Sequence, residues 1–199
     1  MIKITDLQKS YGENTVIDGL SFSVNKGEKI AIMAPSGCGK TTLLRLLMGL
    51  ERQDGGRVEM ADKAAFLFQE PRLFPQFTVL QNVMAVIDGK ERKKRALEAL
   101  LLVGLSGEED KYPNEISGGM AQRAVLARAL VTGRSIFLLD EPFKGLDEQA
   151  KEQIFALCRR ALADKTVLLV THDDKEARAL CEKIVSFEKG MKVRDVVEL

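Results

Sequence analysis

The sequence predicts an α/β protein built on a largely parallel sheet. Continuous apolar runs at Ile30–Met33, Ser135–Leu139 and Thr166–Val170 read as strands buried on both faces. Each run leads into a stretch with helical spacing of apolar residues, and strands alternating with helices imply parallel connections. Between the first strand and its helix lies a glycine-containing turn, the arrangement that opens a helix N-terminus onto an anion.

The elements follow in order. From Ile2 to about Met60 the chain reads as strands and turns leading into the glycine turn and its helix, with turns at Lys26-Gly27-Glu28 and Asp54-Gly55-Gly56. A short strand, Ala64–Phe68, ends at Gln69. From about Pro71 to Gly133 the pattern is helical: Val79–Ile87, then Lys90–Val103 with Leu97, Leu100 and Leu101 on one face, then Gly118–Val131. After the strand Ser135–Leu139 come a helix over Glu148–Ala163, the strand Thr166–Val170 and a helix around Lys175–Cys181. Ile184–Phe187, a Lys189-Gly190 turn and a last β-like piece complete the chain. The helical block is expected to be an inserted lobe. This divides one domain into an α/β core (1–70 and 134–199) and a helical subdomain (71–133).

At 199 residues the chain has room for one sizeable core. Apolar residues make up 45% and charged residues 30%, and the net charge is +1, which gives no electrostatic case for nucleic acid. The basic run Lys90–Arg95 opens an amphipathic helix and is read as a solvated face. Three widely spaced cysteines, Cys38, Cys158 and Cys181, argue against a disulfide framework and fit a reducing cytosol. No apolar run approaches the roughly 20 residues that span a bilayer.

Three motifs carry chemistry. In Ala34-Pro35-Ser36-Gly37-Cys38-Gly39-Lys40-Thr41-Thr42, backbone N–H groups and the helix dipole converge on phosphates, Lys40 adds a point charge, and Thr41 is placed to bind Mg²⁺. The usual pattern opens with glycine, where this chain has Ala34. In Phe137-Leu138-Leu139-Asp140-Glu141-Pro142, an apolar strand ends in carboxylates at the sheet edge where ligands of open α/β folds bind. Asp140 can reach Mg²⁺ there, and Glu141 can polarise a water that attacks the γ-phosphate. In Ile116-Ser117-Gly118-Gly119-Met120, Ser117 is an N-cap, and Gly118 and Gly119 let backbone approach a ligand at a helix N-terminus.

Together these motifs resemble the ATP-binding cassette (ABC) ATPases, a branch of the P-loop NTPases with a helical subdomain and an antiparallel β part, here reduced. Their signature is Leu-Ser-Gly-Gly-Gln, so Ile116 and Met120 are departures, and Met at that place also resembles importer ATPases for nitrate, sulfonate and taurine-like anions. The resemblance spans nearly the whole chain and implies roles for further residues. Gln69 touches Mg²⁺ or the attacking water, and His172 contacts the γ-phosphate. Asp147, in Gly145-Leu146-Asp147, lies where paired subunits communicate, and Tyr11 stacks on adenine. Glu141, His172 and Gln69 are the expected catalytic set, and Thr41, Gln69 and Asp140 the expected Mg²⁺ set.

The resemblance also implies partners. Two copies face head to tail, with ATP between the Lys40 loop of one and Ser117-Gly118-Gly119 of the other. A transmembrane permease docks near Arg72–Val79, which places the chain on the cytoplasmic face of the membrane. The expected function is the ATP-hydrolysing subunit of an importer for a small anion. Two alternatives stand beside it: a soluble non-transport ABC ATPase, and a poorly hydrolysing nucleotide-binding regulator.

Overall fold

The computed structural model describes residues 1–199, the side chain of residue 194 excepted. Strands β1 (Ile2–Tyr11), β2 (Asn14–Val24) and β4 (Gly55–Met60) form a three-stranded antiparallel sheet in the order β2-β1-β4. A six-stranded sheet is built from β3 (Lys29–Met33), β5 (Ala64–Leu67), β6 (Ile136–Asp140), β7 (Thr166–Val170), β8 (Lys183–Glu188) and β9 (Lys192–Glu198). Its order is β5-β6-β7-β3-β8-β9, parallel except for the β8–β9 hairpin.

Alternation of side chains sets the layers. Ile30, Ile32, Ile136, Leu138, Leu168 and Val170 face one way, into a cluster shared with the antiparallel sheet and helix α1 (Lys40–Leu47). Ala31, Phe137, Leu139, Val167 and Leu169 face the other way, into a cluster shared with α4 (Gly118–Leu130), α5 (Glu148–Ala161) and α6 (Asp174–Leu180). Helix α1 has only eight residues, too few to hold itself. Leu43, Leu44, Leu46 and Leu47 are buried, each burial favouring the helix by roughly 1.5–3 kcal/mol. It stops at Gly49 (φ 66°), where the N–H groups of Gly49 and Leu50 turn back to Leu46 and Arg45.

Residues 71–133 hold α2 (Val79–Met84), α3 (Arg92–Leu102) and α4. Thr78 and Gln81 form a reciprocal capping box at the start of α2. The buried face of α3 corrects the sequence expectation. Leu100 is buried, but its companions are Ala96, Ala99 and Val103, whereas Leu97 and Leu101 are exposed, Leu101 by 66%. Two alanines let α3 approach its neighbours closely, so the smaller residues mark the packed side and the bulkier leucines do not. Among the described residues, no helix is long and apolar enough to cross a membrane.

Candidate functional site

Register brings the site together. Leu67 pairs with Leu139, Asp140 with Val170, and Val170 with Ile32, so β5, β6, β7 and β3 end at one edge. The segments leaving that edge carry Gln69, Glu141, His172 and the glycine loop, all on the carboxyl side of the parallel strands.

The loop needs its glycines at two places. Gly37 has φ 76° and Gly39 has φ 107°, and a Cβ on Gly39 would stand 2.7 Å from Val16 Cγ1. Ala34 is not among the residues with positive φ, so alanine carries no backbone strain at the place where glycine is usual. Its methyl packs on the core, and its carbonyl accepts Lys40 Nζ at 2.6 Å; Pro35 O accepts the same ammonium at 3.0 Å. Lys40 thus lies back over its own loop. Pro35 O also accepts the Cys38 N–H at 3.2 Å, closing a turn around Ser36 and Gly37. The Cys38 side chain points away from this face: it is buried, its thiol donates to Glu188 O at 2.8 Å, and it lies 3.7 Å from Met191 Sδ. A cavity of about 230 Å³ is lined by Val16, Gly37, Gly39, Lys40, Thr41 and Thr42. The first N–H groups of α1, which have no intrahelical partner, belong to the same residues.

Asp140 is 5% exposed, and Thr41 Oγ1 donates to its Oδ2 at 3.3 Å. Burial pushes the Asp140 carboxyl above its ordinary range and the neighbouring Glu141 adds to this, against the opposing pull of Thr41 and Lys40. A buried carboxylate beside a hydroxyl is a pair of hard oxygen donors, and this chemistry fits Mg²⁺.

Glu141 sits in the left-handed region at φ 45°, a conformation that costs a non-glycine residue about 1–2 kcal/mol. Its N–H donates to Val170 O at 2.9 Å, and its Oε1 lies 3.4 Å from His172 Nδ1. Lys144 Nζ is 3.6 Å from its Oε2. The strained turn is held from behind by Gln122 on α4, a buried side chain whose Nε2 donates to Pro142 O at 2.6 Å. The sequence reading missed Gln122. Its only signal was an amide on a helix whose other buried residues are apolar.

The remaining expected residues lie farther out. Tyr11 closes the β1–β2 hairpin, is 44% exposed, and its hydroxyl donates to Glu51 Oε1 at 2.5 Å. Gln69 is exposed, directly beyond β5. Ser117 caps α4 by accepting the Met120 N–H at 3.2 Å, and Asp147 caps α5 by accepting the Ala150 N–H at 2.8 Å. A Cβ on Gly119 would meet Leu146 Cδ2 at 3.2 Å, so these two segments touch each other. Among the described residues, no hydrogen bond joins 117–119 to the glycine loop. Met120 packs its side chain on its own core, which explains how an apolar residue is accommodated there.

Residues 17–144 match the family model described as ABC transporter. The chain is 44% identical over 193 residues to an aliphatic sulfonates import ATP-binding protein of Nocardia farcinica, covering 95% of this chain and 78% of that protein. It is 38% identical to the spermidine/putrescine import ATP-binding protein of Mannheimia succiniciproducens over 96% of this chain and 56% of that one. Its fold matches a solved dimeric ATP-binding cassette in a post-hydrolysis state with ADP and Pi. The TM-score is 0.91 and the identity 32%, over 100% of this chain and 99% of that one.

Proposed function

Because the chain belongs to the ABC transporter family and is an ATPase, we propose that it drives a membrane importer for a small organic anion of the sulfonate class. The observation that carries the catalytic part is the meeting of Thr41 with Asp140 and of Glu141 with His172 at one sheet edge. Similarity to aliphatic sulfonate import proteins supports the cargo class. Polyamine import proteins also match, at lower identity and with less of their length covered.

In this reading the glycine loop and the α1 N-terminus hold the phosphates of ATP. Lys40 exchanges the carbonyls of Ala34 and Pro35 for phosphate oxygens, so the loop is braced until nucleotide arrives. Thr41 and Asp140 would hold Mg²⁺, with Gln69 at the rim, and the chemistry it would supply is neutralisation of phosphate charge. Glu141 orients the attacking water and draws off its proton, His172 donates to the γ-phosphate, and Tyr11 stacks on the base.

A second copy supplies Ser117-Gly118-Gly119 and Asp147 from across the interface; the match to dimeric cassettes supports that pairing. Residues 71–133 act as the helical subdomain, and the permease docks near Arg72–Val79, holding the chain at the cytoplasmic face of the membrane. There Asn82 fixes the backbone of Phe74 and Phe77, and Phe74 remains 44% exposed.

Two measurements test the reading. The purified chain should release phosphate from ATP in a Mg²⁺-dependent way. A strain lacking the chain should fail to grow on an alkanesulfonate as sole sulfur source; unimpaired growth and uptake would sink the cargo assignment.

A further inference from the structure

His172 lies between Thr171 and Asp173, both of which belong to a hydrogen-bonded cluster with Glu176 and Lys151. Its predecessor Thr171 is buried and donates through Oγ1 to Glu176 Oε2 at 2.6 Å. The same hydroxyl accepts the N–H of its successor, Asp173, at 3.1 Å. Glu176 is 4% exposed, and its other oxygen lies 2.9 Å from Lys151 Nζ, which is also 3.1 Å from Asp173 Oδ2. Lys151 belongs to α5, and its N–H donates to Asp147 O at 2.9 Å. Burial draws the Lys151 ammonium toward the neutral form and the hydrogen bonds to Glu176 and Asp173 oppose it; the bonds prevail and its pKa is raised.

The side chain of His172 is itself 69% exposed, so packing does little to place it. Its position depends on the backbone of 171–173, and that backbone is set by the cluster. Thr171 N–H further donates to Ile32 O at 3.2 Å, tying the segment to β3. We propose that Lys151, Glu176 and Thr171 are positioning residues that fix the stance of His172 against Glu141, and so govern turnover rather than ATP capture. Removing Lys151 leaves two carboxylates facing each other without a cation, and the segment carrying His172 must rearrange. The residues that capture ATP, 34–42, share no hydrogen bond with this cluster among the described residues.

The inference rests on the proposed role of His172, and the test separates the two. ATP hydrolysis by the full chain is measured for Lys151→Met, Lys151→Arg and Glu176→Gln, each alone and combined with His172→Ala. Lys151→Met is expected to lower kcat about tenfold or more while KM for ATP stays within about threefold, as for a misplaced group on a competent binding site. Lys151→Arg, which keeps the charge, should recover most of the loss. In the His172→Ala background, Lys151→Met should cost less than about twofold, because the two act as one unit. Should Lys151→Met not fold, Glu176→Gln, which keeps volume and an acceptor for Thr171, carries the same expectations. A KM that rises in step with the loss of kcat, or a full loss persisting in the His172→Ala background, overturns the inference alone. A harmless His172→Ala overturns it together with the role given to His172.

Discussion

Glu141 Oε1 lies 3.4 Å from His172 Nδ1, although the two residues leave different strands, β6 and β7. The pairing of Asp140 with Val170 makes this possible, because each functional side chain then follows just beyond a paired position. Glu141→Gln keeps shape and removes the basic oxygen. Turnover should fall by about 10²–10⁴-fold, the range for loss of a positioned general base, with ATP affinity little changed. Single-turnover phosphate release beside equilibrium nucleotide binding checks this, and near-normal hydrolysis would refute the assignment.

The loop makes opposite predictions at two neighbouring sites. Gly39→Ala forces a methyl into Val16 at a φ of 107° and should destabilise the chain by about 1–3 kcal/mol while abolishing nucleotide binding. Ala34→Gly relieves no strain, since Ala34 lacks positive φ, and ATP affinity should stay within about twofold. Isothermal titration of both variants, with urea unfolding, distinguishes them; a large gain in affinity for Ala34→Gly would contradict the reading of its backbone.

Asp140 carries a pH signature. Its carboxyl is raised in the folded chain by burial first and by Glu141 second. The folded state therefore binds the proton more tightly than the unfolded state does. Stability without ligand must fall as pH rises from the ordinary carboxylate pKa through the raised one, and the penalty is full only above the raised one. Asp140→Asn should accordingly raise the melting temperature of the nucleotide-free chain at pH 7 and lose that advantage in acid, while Mg²⁺-dependent hydrolysis disappears. Thermal melts across pH without nucleotide would expose an error as an advantage that grows in acid.

Gln122→Leu deletes the donor to the buried Pro142 carbonyl. Leaving that acceptor unsatisfied should cost about 1–3 kcal/mol in urea unfolding. It should also lower kcat, because the turn carrying Glu141 is strained and braced at this point. A stable variant with unchanged kcat would show that the turn holds itself.

Thiol reactivity gives a separate check on the core. Burial pushes Cys158 and Cys181 up to about 12, so neither forms thiolate at neutral pH. Both should resist iodoacetamide in the native chain and react after urea unfolding; rapid native labelling of either would mean that the packing around α5 and α6 is looser than described.

Much of this was legible before any coordinates. The parallel sheet followed from strands alternating with helices, and the edge position of Asp140 from an apolar strand ending in a carboxylate. The glycine loop was legible because an apolar strand, a glycine-containing turn and Gly-Lys-Thr opening a helix follow one another directly. What escaped was tertiary. The packed face of α3 depends on which neighbour comes close, and there Ala96 and Ala99 outrank Leu97 and Leu101. The left-handed turn at Glu141 and its brace from Gln122 join residues from different elements, and no local pattern announces them. The cluster of Lys151, Asp173 and Glu176 hid for the same reason: in one dimension it looks like ordinary solvated charge.

The thiol of Cys38 rests against Glu188 and Met191, about 150 positions further along the chain. The floor of the glycine loop is therefore laid by residues that are synthesised long after the loop itself. A nascent chain that has already exposed Lys40 and Thr41 lacks that support until the β8–β9 hairpin emerges. Full support of the loop thus depends on a contact that no fragment ending before Glu188 can make.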